Sequence, residues 1–152
     1  MGRWQDIEKD APEFAKRVRD VFGAGKHKTL ATLRGDGSPR ISGSELQFED
    51  GEVTFGMMAD SLKLADVRRD PRIAVHSPSL DPPEDQASWS GDAKIAGRAV
   101  ETAPTEGAEP GSGAFRVDVT EVALTYLGGT PPDHLVIESW HEGTGWRRRT
   151  RK

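Results

Sequence analysis

Ser61 and Lys63 open the segment SLKLADVRRDPRIAV (61–75), and Arg40 and Ser42 lie two residues apart in SPRISGSELQF. A hydroxyl, an ammonium and a guanidinium are the groups that hold a phosphate or a carboxylate. Leu62, Leu64, Ala65 and Val67 predict a short helix in which Ser61 or Asp60 caps the amino end and Pro71 stops the carboxyl end. Lys63 then stands in the first turn, where free backbone N–H groups and the helix dipole already favour an anion. Arg68, Arg69 and Arg72 have Asp66 and Asp70 as neighbours, and read as a solvated, ion-paired face.

Other chemistries have weaker support. His27, His76, His134 and His141 show no HxH or HExxH spacing, so no metal site is expected. No GxSxG elbow is present, and the absence of cysteine excludes disulfides, thiolate nucleophiles and cysteine metal sites. Redox chemistry in this chain therefore requires a bound cofactor. GSGAFR opens a strand instead of a helix and lacks a third glycine, so it is no dinucleotide loop.

The elements that must position these groups follow from periodicity. Phe14, Val18, Val21 and Phe22 fall at helical spacing and predict one amino-terminal helix over 12–22, stopped by Gly23 and Gly25. The period then changes to two. Asp36-Gly37 and Asp50-Gly51 are hairpin turns, which predict strands at 29–34, 39–48 and 52–58 in an antiparallel meander. In a meander the second and third strands are neighbours, so Arg40 is expected beside the start of the short helix. Further strands are expected at 72–77, 91–101, from Phe115 onward and in LVIESW, with GTGWRRRTRK as a last edge strand. Six or seven short strands with glycine-rich turns, an amino-terminal helix and a short helix between strands three and four predict a mainly β protein, an antiparallel barrel.

The 152 residues suit a single domain, 1–152, with an amino-terminal helix region 1–26, a flexible loop 102–113 and a basic segment 141–152. A net charge of −4 argues against a general nucleic-acid binder. No apolar run is long enough to span a bilayer and the start has no secretory pattern, so a cytoplasmic protein without a membrane partner is expected. The tail WRRRTRK stands apart from that acidic average, with five cations in its last six residues. A solvated tail is its simplest reading, and contact with RNA, a membrane surface or a nucleotide-like cofactor the alternative.

In order, TLATLRGDGSPRIS, FEDGEVTFG, SLKLADVRRDPRIAV, GRAVE and FRVDVTEV resemble the pyridoxamine 5′-phosphate oxidase-like split-barrel family of flavin- and deazaflavin-binding proteins. The resemblance spans 27–101 and 114–126. It implies a six-stranded split barrel, a homodimer with cofactor at the subunit interface, and an oxidoreductase that exchanges hydride with a small molecule. It implies that Ser61 and Lys63 hold the cofactor phosphate, that Arg40, Ile41 and Ser42 line the ring or phosphate side, and that Gly56 and Met57 run along the groove. Trp89 is similar to residues given by the opposite subunit, and Trp140 and Trp146 to residues that close over the ring. FMN and the deazaflavin coenzyme F-420 both present a phosphate and a tricyclic ring, and stay open at this point. A non-catalytic carrier or sensor of FMN or haem on the same barrel, with His76 or His134 as a haem ligand, is the other reading. A barrel without cofactor, acting as an interaction module through its basic tail, is a third. The chain departs from the family in having only TAPTEGAEPGSG where many members carry helices, and in lacking the arginine-leucine-histidine motif for vitamin B6. A true pyridoxamine phosphate oxidase is therefore not expected.

Overall fold

A computed structural model describes residues 2–152. Its first elements are two helices, α1 (Trp4–Asp10) and α2 (Pro12–Phe22), where the sequence predicted only the second. Pro12 explains the break: it disfavours helical geometry in the residue before it, and Ala11 sits at φ −148°, ψ 73°. Pro12 then occupies the first turn of α2, where its missing N–H costs nothing. Trp4 and Ile7, one turn apart, are 1% and 0% exposed and fasten α1 to the core.

Nine strands follow, β1 (Lys28–Leu33), β2 (Pro39–Ser44), β3 (Gln47–Glu49), β4 (Glu52–Met57), β5 (Arg72–His76), β6 (Asp92–Thr102), β7 (Gly113–Gly128), β8 (His134–His141) and β9 (Gly145–Arg151), with α3 (Leu62–Arg69) between β4 and β5. Both Asp-Gly turns form. Asp50 and Gly51 have φ of 53° and 74°, the paired positive values of a two-residue hairpin, and Gly37 has φ 86° in the longer β1–β2 loop.

The predicted meander needs correction. The segment 39–48 is not one strand: β2 pairs only with β1 and β3 only with β4. Sheet twist turns β1 and β4 away from each other, so one extended segment can stay in register with only one of them at a time. The change of partner falls at Glu45–Leu46, with Leu46 pointing into the core at 7% exposure. All pairings are antiparallel and the order is β2-β1-β5-β6-β7-β4-β3, so the two ends of the sheet are the two halves of this segment. The mainly β, antiparallel prediction holds, in a sheet that curls round without closing its hydrogen bonds.

The long β7 is the spine. One edge pairs with β6, and the other with β4 at 113–116 and with β8 at 121–128. Between those partners the Val119 amide donates to Gly2 O at 2.6 Å. The β6–β7 register shifts at Ala96/Gly97, where Thr120 is the extra residue on β7, and a Cβ on Gly97 would lie 2.2 Å from Asp118 O, so only glycine fits there. The basic tail forms β9 on the outside of β8. The core joins both helices to the sheet: Trp4 meets Phe48 edge-on at 4.9 Å, and Phe55 stacks on Phe115 at 5.4 Å. Among the described residues no helix is long and apolar enough to cross a membrane.

Trp4→Ala should cost about 3–5 kcal/mol, as expected for an excavated core aromatic. Urea unfolding checks this, and a loss below about 1 kcal/mol would mean that α1 is an appendage.

Candidate functional site

Arg40 and Thr32 face each other across the β1–β2 pair, and α3 lies over them. From α3, Asp66 reaches down between the two. Its Oδ2 accepts from Thr32 Oγ1 at 2.7 Å and from Arg40 Nε at 2.7 Å, and its Oδ1 accepts from Arg69 Nη2 at 2.9 Å. The Asp66 side chain is 2% exposed and that of Arg40 18%. Burial pushes the Asp66 carboxyl up, but the hydrogen bonds from Arg40, Thr32 and Arg69 outweigh it and hold the group below the ordinary aspartate range.

With Nε committed to Asp66, Arg40 lines an open groove of about 400 Å3 together with Ser42, Ser61 and Lys63. Ser61 caps α3 by accepting from the Leu64 amide at 3.3 Å. The amides of Leu62 and Lys63, in the first turn, have no partner within the helix. Lys63 Nζ donates to Gly43 O at 2.8 Å, which places the ammonium against β2. Ile41 and Leu62 flank the groove at 74% and 65% exposure, an apolar surface beside three cations, Arg34, Arg40 and Lys63.

The structure therefore brings Arg40, Ile41, Ser42, Ser61 and Lys63 together, although β2 and β4 are not the paired neighbours assumed from the sequence. Asp66 was missed at its true place. The sequence made it a surface partner of the arginines, yet it lies between Leu64 and Val67 on the buried side of α3. An aspartate beside the apolar positions of a short helix was the available signal. Arg72 grips Asp70 at 3.1 and 2.8 Å, as read, whereas Arg68 takes Glu101 of β6 at 3.1 and 2.8 Å in place of Asp66 or Asp70. Hydrogen bonds from Arg72 pull the Asp70 carboxyl down to about 2.

Other candidates lie elsewhere in the chain. Gly56 faces outward into a second groove of about 610 Å3 beneath the loop 103–112, whereas the Met57 side chain is 3% exposed and belongs to the core. Trp89 is half-buried after the 3-10 turn Gln86–Ser88, away from the Arg40–Lys63 groove. The expectation for Trp140 is corrected: it is 4% exposed and its indole donates to Asp10 at 3.2 Å, so no face is free for a cofactor ring. Trp146 is 44% exposed on β9, and its indole donates to Glu138 at 3.0 Å. Glu138 also accepts from Tyr126 at 2.5 Å and Arg17 at 3.3 Å, tying α2, β7, β8 and β9 together.

No protein-family model and no curated protein matches the chain. Solved structures do. A pyridoxamine 5′-phosphate oxidase-related, FMN-binding protein from Nostoc punctiforme superposes with a TM-score of 0.66 at 12% identity, over 97% of this chain and 99% of that one. A protein of unknown function from Agrobacterium tumefaciens gives 0.60 at 20% identity over 75% of this chain, which spans 56% of that protein's length. An F-420 reductase gives 0.54 at 14% identity, over 69% of this chain and 94% of that one. The fold is the split barrel of the pyridoxamine 5′-phosphate oxidase-related proteins, as the sequence resemblance implied.

Asp66→Ala should destabilise the protein by about 3–5 kcal/mol, because it leaves Arg40 facing a buried, unpaired position. Since the Asp66 pKa is lower folded than unfolded, its contribution is complete above the unfolded value of about 4 and is lost as pH falls through the folded value. Denaturant midpoints measured across acid pH should therefore fall less steeply in Asp66→Asn than in the parent.

Proposed function

We propose that the Arg40–Lys63 groove holds the phosphate of a flavin or deazaflavin, with FMN the first candidate, and that the protein is an oxidoreductase acting on a small molecule. The convergence of Arg40, Lys63, the Ser61 hydroxyl and the first amides of α3 on one open groove carries this reading. The donor set fits the group: three cations, Arg34, Arg40 and Lys63, and several neutral N–H and O–H donors suit a phosphate monoester. The FMN-binding and F-420 reductase neighbours share the barrel, which supports a phosphate-bearing tricyclic cofactor.

Such a cofactor, when bound, supplies the hydride chemistry. The chain contributes binding and orientation. Asp66 fixes Arg40 so that its outer nitrogens remain for the ligand, and Lys63 exchanges the Gly43 carbonyl for a phosphate oxygen. The exposed Ile41 and Leu62 support a homodimer in which a second copy packs against the groove and excludes water from it.

A non-catalytic carrier on the same barrel is favoured by one observation, the short irregular loop 103–112, which places no helix over the neighbouring groove. For haem the side-chain evidence is thinner: His76 Nδ1 lies 2.6 Å from Ser77 O and His134 Nδ1 2.6 Å from Asp133, and the two sit on different strands.

Titration of the purified protein with FMN and with F-420, followed by visible absorption and fluorescence, separates these readings. Saturable binding of either is expected, and Lys63→Ala should weaken it by about 1.5–3 kcal/mol, the loss of one charge-assisted contact, without changing the unfolding midpoint. Failure to take up either cofactor, or an affinity indifferent to Lys63, would sink the proposal. A flavin complex inert to chemical and enzymatic hydride donors would favour the carrier.

A further inference from the structure

A second basic groove lies on the outer face of β6–β9, with a volume of about 320 Å3 and no residue in common with the Arg40–Lys63 groove. Its floor is the paired run Ala123↔Ser139 and Thr125↔Ile137 of β7 and β8. On β9, Arg149 and Arg151 stand opposite Ile137 and Leu135, so both arginines share the face of Ser139. Lys94 of β6 lines the far side.

Three cations thus surround one small depression in a protein whose net charge is −4. Among the described residues Lys94, Arg149 and Arg151 make no ion pair and no side-chain hydrogen bond. The one carboxylate in the groove, Glu121, has His141 at 3.7 Å instead. Ser139 is 3% exposed, and its hydroxyl has no hydrogen-bond partner among the described residues. A buried hydroxyl left unmatched costs about 1–3 kcal/mol, which an acceptor on a ligand would recover.

Arginines on an edge strand have a simpler use, since charge there prevents edge-to-edge pairing. That use requires neither Lys94, three strands inward, nor an unpartnered hydroxyl beneath the arginines. We infer that this groove is an anion site for a small molecule carrying a phosphate or carboxylate, separate from the cofactor groove. Leu135 and Ile137 offer an apolar floor for the body of the ligand. The volume is at the small end for ligand pockets, about 300–1,000 Å3, and suits a compact anion better than a polymer.

Calorimetric titration of the full chain with inorganic pyrophosphate and with citrate tests the inference and distinguishes the two anion types. Saturable binding of at least one probe is expected, weakened at least about tenfold by Arg149→Gln with Arg151→Gln, and about three- to tenfold by Ser139→Ala. Lys63→Ala should leave it unchanged, so loss of FMN binding with intact probe binding separates this site from the first. The arginines are exposed, and the double variant should melt as the parent does. No saturation by either probe up to about 10 mM would overturn the inference. So would binding indifferent to Arg149 and Arg151, binding abolished by Lys63→Ala, or capture only of a single-stranded oligonucleotide or an anionic vesicle.

Discussion

The carboxylate of Asp66 is the interaction on which this protein's local order depends. One buried negative charge receives a strand hydroxyl, a strand guanidinium and a helix guanidinium, and so fixes α3 against the β1–β2 pair. Taking such a charge out of water costs several kcal/mol unless its hydrogen-bonding capacity is filled, and here three donors fill it. The same bonds limit the freedom of Arg40. An arginine held at Nε is already oriented before any ligand arrives, and less side-chain entropy remains to be lost on binding.

The second constraint is the change of partner along 39–49. A twisted sheet of this length cannot hold β1 and β4 on either side of one flat strand, so the chain gives half its ladder to each. The groove stands where the first half leaves room beside the amino end of α3. Fold and site thus have a common cause: the place where the barrel does not complete its hydrogen bonding is the place where donors remain for something else.

Much of this was legible in the sequence because it is local. The Asp-Gly pairs report hairpins directly, since few other residues tolerate the positive φ such turns require, and Ser61 reports a helix start through its own hydroxyl. The strand series and its resemblance to split-barrel proteins followed from alternation and order. What the sequence hid depends on long-range geometry. Asp66 reads as one of several acids among arginines, and only the packing of α3 on β1 shows it buried. Trp140 reads as an available aromatic, yet Gly2 and Asp10 at the end of α1 lie against it. Helix α1 is too short for a periodic signal, and Trp4 acquires its role only by meeting Phe48 from another part of the chain. Residues 45–46 carry no turn motif at all, because a change of pairing partner is decided by the strands on either side.

The unclosed seam also bears on motion. β2 ends the sheet, so beyond β1 its other edge has no strand partner, and one of its carbonyls, that of Gly43, is taken by Lys63 instead. A displacement of β2 from β4 would have to carry β1 and α3 with it, because β2 pairs with β1 over six residues and Asp66 of α3 binds both strands. The wall carrying Arg40 and Lys63 is therefore held to the β6–β7 spine by ladders on one side only, through β1–β5 and β5–β6.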